Sequence, residues 1–161
     1  MTDNTTEAAN PQAPAVQFSV QRIYLKDLSF EAPNGIISPS KSQPKVNQDL
    51  NTQVNRVGDD LFEVVLNVTV SVKVDDEKTA FLVEVHQAGL FVVKGAEGAQ
   101  LQHMLTTVCP TILFPYVRET IDSTAVRGGF PPLALPPINF DALFARAMSE
   151  AQAKKEADAT H

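Results

Sequence analysis

Tryptophan is absent from this chain, and cysteine occurs once, at Cys109. A single cysteine cannot close an intramolecular disulfide, so nothing in the covalent chemistry asks for an oxidising compartment. Its flank is apolar and Pro110 follows, the setting of a buried, inert thiol rather than a nucleophile. Histidine is almost as scarce. His86 falls on an outward strand position, His103 on a helix and His161 at the C-terminus, and no two lie at metal-ligand spacing. Bases are outnumbered 13 to 19, and the net charge of −6 makes nucleic acid a poor partner and a basic protein segment a better one. No apolar run approaches the roughly 20 residues of a membrane helix, which argues against membrane insertion. Residues 1–15 have neither the basic nor the apolar region of a secretory signal. The expectation is a soluble protein that stays in the cytoplasm.

Phosphate-binding signatures are missing too. The glycines from Gly89 to Gly98 lack a Gly-Lys-Ser/Thr ending and follow no βαβ pattern. Asp59-Asp60 and Asp75-Asp76 stand at turns, without further oxygen donors at regular spacing. No catalytic residue, metal or cofactor site emerges, and the reading is a binding protein, not an enzyme.

What is present is alternation. At 161 residues the chain suits one domain, with a disordered tail over 1–15, a folded region over 16–148 and a flexible tail over 149–161. Val16, Phe18 and Val20 alternate, Ile23 and Leu25 fall out of phase, and Leu28 and Phe30 restore it, which predicts one long strand with bulges. A second strand follows a Ser/Pro/Lys-rich loop, with Val46, Leu50, Thr52 and Val54 on one face and Asn47, Asp49, Asn51, Gln53 and Asn55 on the other. The third, Phe62 to Val74, is apolar at every second position. After a hairpin turn at residues 75–78, Phe81, Val83 and Val85 face inward and Ala80, Leu82, Glu84 and His86 outward. Helical spacing then begins at Leu101, and Pro110 and Pro115 are expected to break or kink that helix. A second stretch, from about Tyr116 to Arg127, stops at Gly128-Gly129, and a Pro-rich connector leads to a last helix capped by Asn139. These elements predict an α+β fold: a four-stranded antiparallel Greek-key sheet with helices on one face.

Two outward sets stand out. Asp27, Ser29 and Glu31 share a face of the first strand, the two carboxylates roughly 13 Å apart, and Leu82 and Glu84 face outward on the fourth. The pattern alone fits a solvated face with gatekeeper acids slightly better than a docking surface. Apolar residues also occupy irregular segments, Ile36 and Ile37 in the first loop and Leu133 and Leu135 in the connector. They suit either a groove for extended peptides or simple packing of loops on the domain edge.

Several blocks are more specific than any alternation: Gln21-Arg22-Ile23-Tyr24, the run from Lys26 to Asn34, Cys109-Pro110-Thr111-Ile112-Leu113-Phe114-Pro115-Tyr116 with Arg118-Glu119, Arg127-Gly128-Gly129-Phe130-Pro131, and the run from Ile138 to Phe144. In this order, from Phe18 to Phe144, they closely resemble the SecB family of protein-export chaperones. The resemblance implies a homotetramer, a dimer of dimers with sheets outside and long helices packed between them. It implies an ATP-independent chaperone that binds unfolded secretory preproteins and delivers them to the translocase motor SecA, whose basic zinc-binding C-terminal region docks on the sheet face. Carried onto this chain, docking falls on Asp27, Glu31, Leu82 and Glu84, tetramer assembly on Phe81, Val83, Val85 and Gln87, and the client groove on Val46, Leu50, Leu143 and Phe144, with the connector alongside. The coincidence with the outward set makes docking the preferred reading of that face. The chain departs from the family pattern at Ser42, where a tryptophan is expected, at Gln48, which replaces an apolar groove residue, and at Val83, where a cysteine is familiar. A SecB-like chaperone dedicated to a toxin–antitoxin system is the alternative function.

Overall fold

The computed structural model describes residues 15–35, 43–74 and 78–158. Four strands, β1 (Gln17–Glu31), β2 (Lys45–Arg56), β3 (Leu61–Val74) and β4 (Lys78–Lys94), form one antiparallel sheet in the order β1-β4-β3-β2. Strands β2, β3 and β4 run consecutively, and β1 returns beside β4, the expected Greek-key arrangement. In β1 the register slips between Val20 and Arg22 and again between Leu25 and Asp27. Gln21 and Lys26 are the extra residues, at the two places where the apolar phase changes. The turn anticipated at residues 75–77 and the loop carrying Ile36, Ile37 and Ser42 lie outside the described residues.

Strand β3 anchors the core because every second side chain meets the helices: Val64, Leu66, Val68 and Val70 have no exposed surface, nor do Val83 and Val85 on β4. Ala80 departs from the expected outward position and is buried. The register passes from Val72–Phe81 to Lys73–Thr79, so Ala80 is the extra residue of a bulge and leaves the simple alternation.

The helical run is α1 (Gly98–His103), a single π-helical turn (Met104–Val108) and α2 (Cys109–Arg127), followed by α3 (Phe140–Asp158). Neither proline breaks α2, contrary to the expectation from sequence. Pro110 occupies its first turn, where a missing N–H matters least. The π turn before it inserts a residue into the ladder. Threonine hydroxyls donate to carbonyls around it, Thr106 to Gln102 at 2.8 Å, Thr107 to His103 at 2.6 Å and Thr111 to Thr107 at 2.7 Å. Pro115 is interior but exposed, and the carbonyl it leaves free belongs to Thr111, itself exposed. An interior proline costs about 3 kcal/mol. Leu113, Val117 and Ile121 are completely buried against the sheet, and at about 1.5–3 kcal/mol each they outweigh it.

Helix α2 ends as its two glycines predict. The Phe130 N–H donates to the Ala125 carbonyl at 2.9 Å and the Gly129 N–H to the Val126 carbonyl at 3.0 Å, with Gly129 left-handed at φ 85°. Gly128 is required for another reason: a Cβ there would stand 2.4 Å from Phe30 Cζ. The Phe30, Phe81 and Phe130 rings cluster over it, with Phe81 and Phe130 centroids 4.8 Å apart. The connector is then pinned: Asp122 accepts from the Leu133 and Ala134 N–H groups at 2.8 and 3.1 Å, and Arg118 reaches the Leu135 carbonyl. Asn139 caps α3, its Oδ1 accepting from the Ala142 N–H at 3.0 Å.

Candidate functional site: an acidic sheet face and an apolar groove

The helices cover one side of the sheet and leave the other open. Register fixes the open face row by row. Glu31 on β1 faces Leu82 on β4, which faces Ser71 on β3 and, through it, Asn47 on β2. The next row is Ser29, Glu84, Thr69 and Asp49, and the third is Asp27, His86, Asn67 and Asn51. Directly opposed residues point to the same side of a sheet, so Asp27, Glu31, Leu82 and Glu84 converge on one patch across β1 and β4. Asp27 and Glu31 are exposed, while Leu82 is half-buried between Glu31 and Ser71. Glu84 is held: His86 Nε2 lies 2.6 Å from its Oε1. Sequence parity placed His86 on this face and passed over it as a solvated imidazole.

A second cluster on the face escaped the sequence reading altogether. Glu63 of β3 accepts from the Tyr24 hydroxyl, from Lys26 Nζ at 3.0 Å and from Asn55 Nδ2 at 3.1 Å. Three strands are thereby tied across β4. The Tyr24 hydrogen bond, with those of Lys26 and Asn55, lowers the Glu63 pKa from 4.5 to about 2, and the same bond raises that of Tyr24. A carboxylate with a lowered folded pKa stabilises the fold fully above its unfolded value and loses that contribution as pH falls through the folded one. For Glu63 the window runs from about pH 4.5 down to about 2. Glu63→Gln is therefore expected to cost about 1–3 kcal/mol at neutral pH and to flatten the acid limb of a denaturation series over that window. The only advance signal was that Lys26 occupies a phase slip, because the bulge swings it toward Glu63.

The groove lies on the helical side of the sheet. Val46, Leu50 and Val54 share the inward face of β2, opposite Val72, Val68 and Val64. Beyond the span of α2, Val46 and Val54 remain exposed. Leu50, Thr52, Leu143, Phe144 and Met148 line a cavity of about 290 Å³, and Val54, Leu101 and Leu105 line one of about 470 Å³. Gln102 and Thr106, one helical turn apart, border both. Together they make a mainly apolar trough between β2 and the α1, π-turn and α3 segments, joined at Gln102 and Thr106. His103 lies 2.8 Å from Asp141 and edge-on to Phe144, which lines the smaller cavity.

Of the residues sequence reasoning named, Leu50, Leu143 and Phe144 share the smaller cavity of this trough, while Val46 shares the face of Leu50 on β2 but lines neither cavity. Sequence reasoning missed Val54, Leu101, Gln102, Thr106 and Met148, although a helical wheel puts Gln102 and Thr106 on one stripe. The connector residues are not part of the trough. Leu135 is buried in the core and Leu133 is half-buried against it, drawn there by the Asp122 and Arg118 contacts. Phe81, Val83, Val85 and Gln87 are all buried beneath the helices, at 4% exposure or less. Any influence they have on another copy passes through the shape of the core.

The chemistry of catalysis is not assembled among the described residues. Burial pushes the Cys109 thiol up to about 12, far from a nucleophile's range. No three His, Cys, Asp or Glu side chains of the described residues form a group that could hold a metal ion. Among those residues no helix is long and apolar enough to cross a membrane.

An open polar sheet backed by an apolar trough defines a binding protein with two separate surfaces. The model of the family described as preprotein translocase subunit SecB matches residues 10–151. A protein-export protein SecB of Saccharophagus degradans is 60% identical over 94% of this chain and 90% of its own length. Another, from Cellvibrio japonicus, is 52% identical over 97% of this chain and 93% of its own. Among solved structures, a SecB-like chaperone of Mycobacterium tuberculosis in complex with an antitoxin peptide shares the fold at a TM-score of 0.64, with 17% identity, over 75% of this chain and 90% of that one. The chain belongs to the SecB family, a family of export chaperones and not of enzymes.

Proposed function

We propose that this chain is an ATP-independent cytoplasmic chaperone that holds unfolded secretory preproteins in the β2–α3 trough and passes them to the motor SecA, whose basic zinc-binding C-terminal region docks on Asp27, Glu31, Leu82 and Glu84. The observation that carries it is the division of labour across one sheet. The trough is on the helical side and the acidic patch on the open side, so a client and a motor segment occupy the protein together without competing. The trough is mainly apolar, with Thr52, Gln102 and Thr106 as its polar members, which selects chains that still expose apolar side chains. The patch is acidic at its rim with Leu82 at its centre, the composition of a steering surface for a basic segment.

Assembly into a homotetramer, a dimer of dimers, is part of the proposal. The face of the π turn and α2 turned away from the sheet exposes Val108, Tyr116 and Val126 beside Pro115, and the helical side of edge strand β1 exposes Val20, Leu25 and Leu28. An apolar helix face and an apolar strand edge, two distinct exposed surfaces, suit two different two-fold interfaces. Light scattering at micromolar concentration is expected to give about four times the 17.5 kDa chain mass; a monomer overturns the assembly. The function itself is tested by capture from cell extract. Unfolded secretory precursors in the bound fraction support it, and a single small antitoxin in their place supports the toxin–antitoxin alternative.

A further inference from the structure

We infer that His86 makes docking on the acidic face proton-dependent, acting on the basic partner through Glu84. The inference rests on the docking reading and adds a regulating residue to it. The geometry is direct: His86 Nε2 stands 2.6 Å from Glu84 Oε1, and the two side chains keep 30% and 43% of their surface, so both exchange with solvent while touching. His86 and Glu84 are two residues apart on β4 and therefore on the same face of the sheet.

The groups around the imidazole make its charge count. From β1 the register partner is Asp27, a second carboxylate. From β3 it is Asn67, uncharged, whose Oδ1 is buried without a hydrogen-bond partner. The cation nearest in sequence on β1, Lys26, is committed to Glu63 at 3.0 Å. Ser29 and Thr69 flank Glu84 and carry no charge, and the acid of β2 on this face, Asp49, lies two strands away. The helices pack on the opposite side of the sheet. His86 is thus set beside two carboxylates, Glu84 on its own strand and Asp27 on β1.

Two protonation states follow. The neutral ring, as its Nε2–H tautomer, donates one hydrogen bond to Glu84 and leaves that carboxylate's full charge to an incoming lysine or arginine. The protonated ring has two N–H donors. One forms an ion pair with Glu84. The patch of Asp27, Glu31 and Glu84 then falls from three negative charges to a net two, and the central carboxylate is engaged internally. Histidine is the side chain that makes this change within the physiological range. A basic partner consequently binds more weakly at lower pH, and its binding expels the proton by linkage.

Titration calorimetry of the full-length protein with the basic zinc-loaded C-terminal peptide of SecA, at pH 6 and pH 8, tests this in wild type and His86→Gln. Glutamine keeps the hydrogen bond to Glu84 and removes the titration. Wild type is expected to bind about two- to fivefold more tightly at pH 8 than at pH 6, the scale of one exposed charge pair, and the variant's ratio is expected to collapse to the peptide's own pH response. Equal pH ratios in the two proteins overturn the role of His86 and leave docking intact. No binding by wild type at either pH overturns the docking reading and the inference with it. Client capture by wild type and variant, compared at both pH values, is expected to be equal, since the trough is on the other side of the sheet; a parallel loss there would make His86 a structural residue and overturn the inference.

Discussion

Glu84→Lys is expected to abolish binding of the basic SecA segment while leaving folding, assembly and client capture unchanged. The side chain sits in the middle row of the open face, between Ser29 and Thr69, and 43% of its surface is solvated. Reversing a charge at such a position does not disturb the core, and surface substitutions of this kind usually lie within about 0.5 kcal/mol. At the patch the effect is larger, because the change removes an attraction and adds a repulsion against every base of the partner. Lysine also forfeits the contact with His86 and places a cation beside Asp27 and Glu31, which then pair with it rather than with the partner. An affinity loss of at least tenfold is expected by calorimetry, against a wild-type interaction that weakens as salt rises. Near wild-type affinity for Glu84→Lys would make the acidic face a solvated surface and nothing more. Leu82→Ala is the companion measurement: a half-buried apolar residue ringed by charges behaves as a hot spot, and its truncation is expected to cost more than loss of either flanking acid alone.

Leu143→Glu is expected to remove most client holding without unfolding the protein. Leu143 is 39% exposed on α3 and lines the cavity it shares with Leu50, Phe144 and Met148. A carboxylate there stays solvated through the open side of the trough, and glutamate is a good helix former, so α3 persists. An unfolded client bound at this point would have to desolvate that carboxylate against its own apolar side chains, with no cation of the trough lining to pair it. Suppression of aggregation of a chemically unfolded precursor is expected to fall at least tenfold in potency, with the SecA peptide binding as before. Retention of full holding activity would move the client site elsewhere. Because Glu84→Lys and Leu143→Glu act on opposite sides of the sheet, the double variant is expected to show both losses independently, as distant sites do.

The strands were legible because a half-buried strand writes its faces into alternate residues. Even the two bulges of β1 left a trace, since each inserted residue flips the phase and the flips at Gln21 and Lys26 were visible as slips. The outward acidic patch was legible for the same reason: parity orients Asp27, Glu31, Leu82 and Glu84 without knowledge of their neighbours. The prolines of α2 misled, because a local rule cannot weigh the burial of Leu113, Val117 and Ile121 against the lost hydrogen bond. Leu135 misled in the opposite direction. A leucine among prolines reads as an exposed loop residue until Asp122 and Arg118, one helical turn apart on α2, fasten the connector's backbone and the side chain is buried.

By itself, then, the sequence determined which residues face which side, except at the Ala80 bulge: periodicity is a property of the covalent chain, and a face follows from position along it. Family membership was equally within its reach, since ordered blocks of identical residues need no geometry. Only the tertiary structure decided which faces meet. Strand order brought β1 beside β4 and so gathered two separate pairs of outward residues into one acidic patch, put His86 against Glu84 with Asn67 beside it, tied Tyr24 and Lys26 to Glu63 across an intervening strand, and closed a trough from β2 and three helical segments. Each of these joins residues tens of positions apart or depends on a side-chain rotamer, and such contacts are selected by the packing free energy of the whole domain rather than by any local pattern.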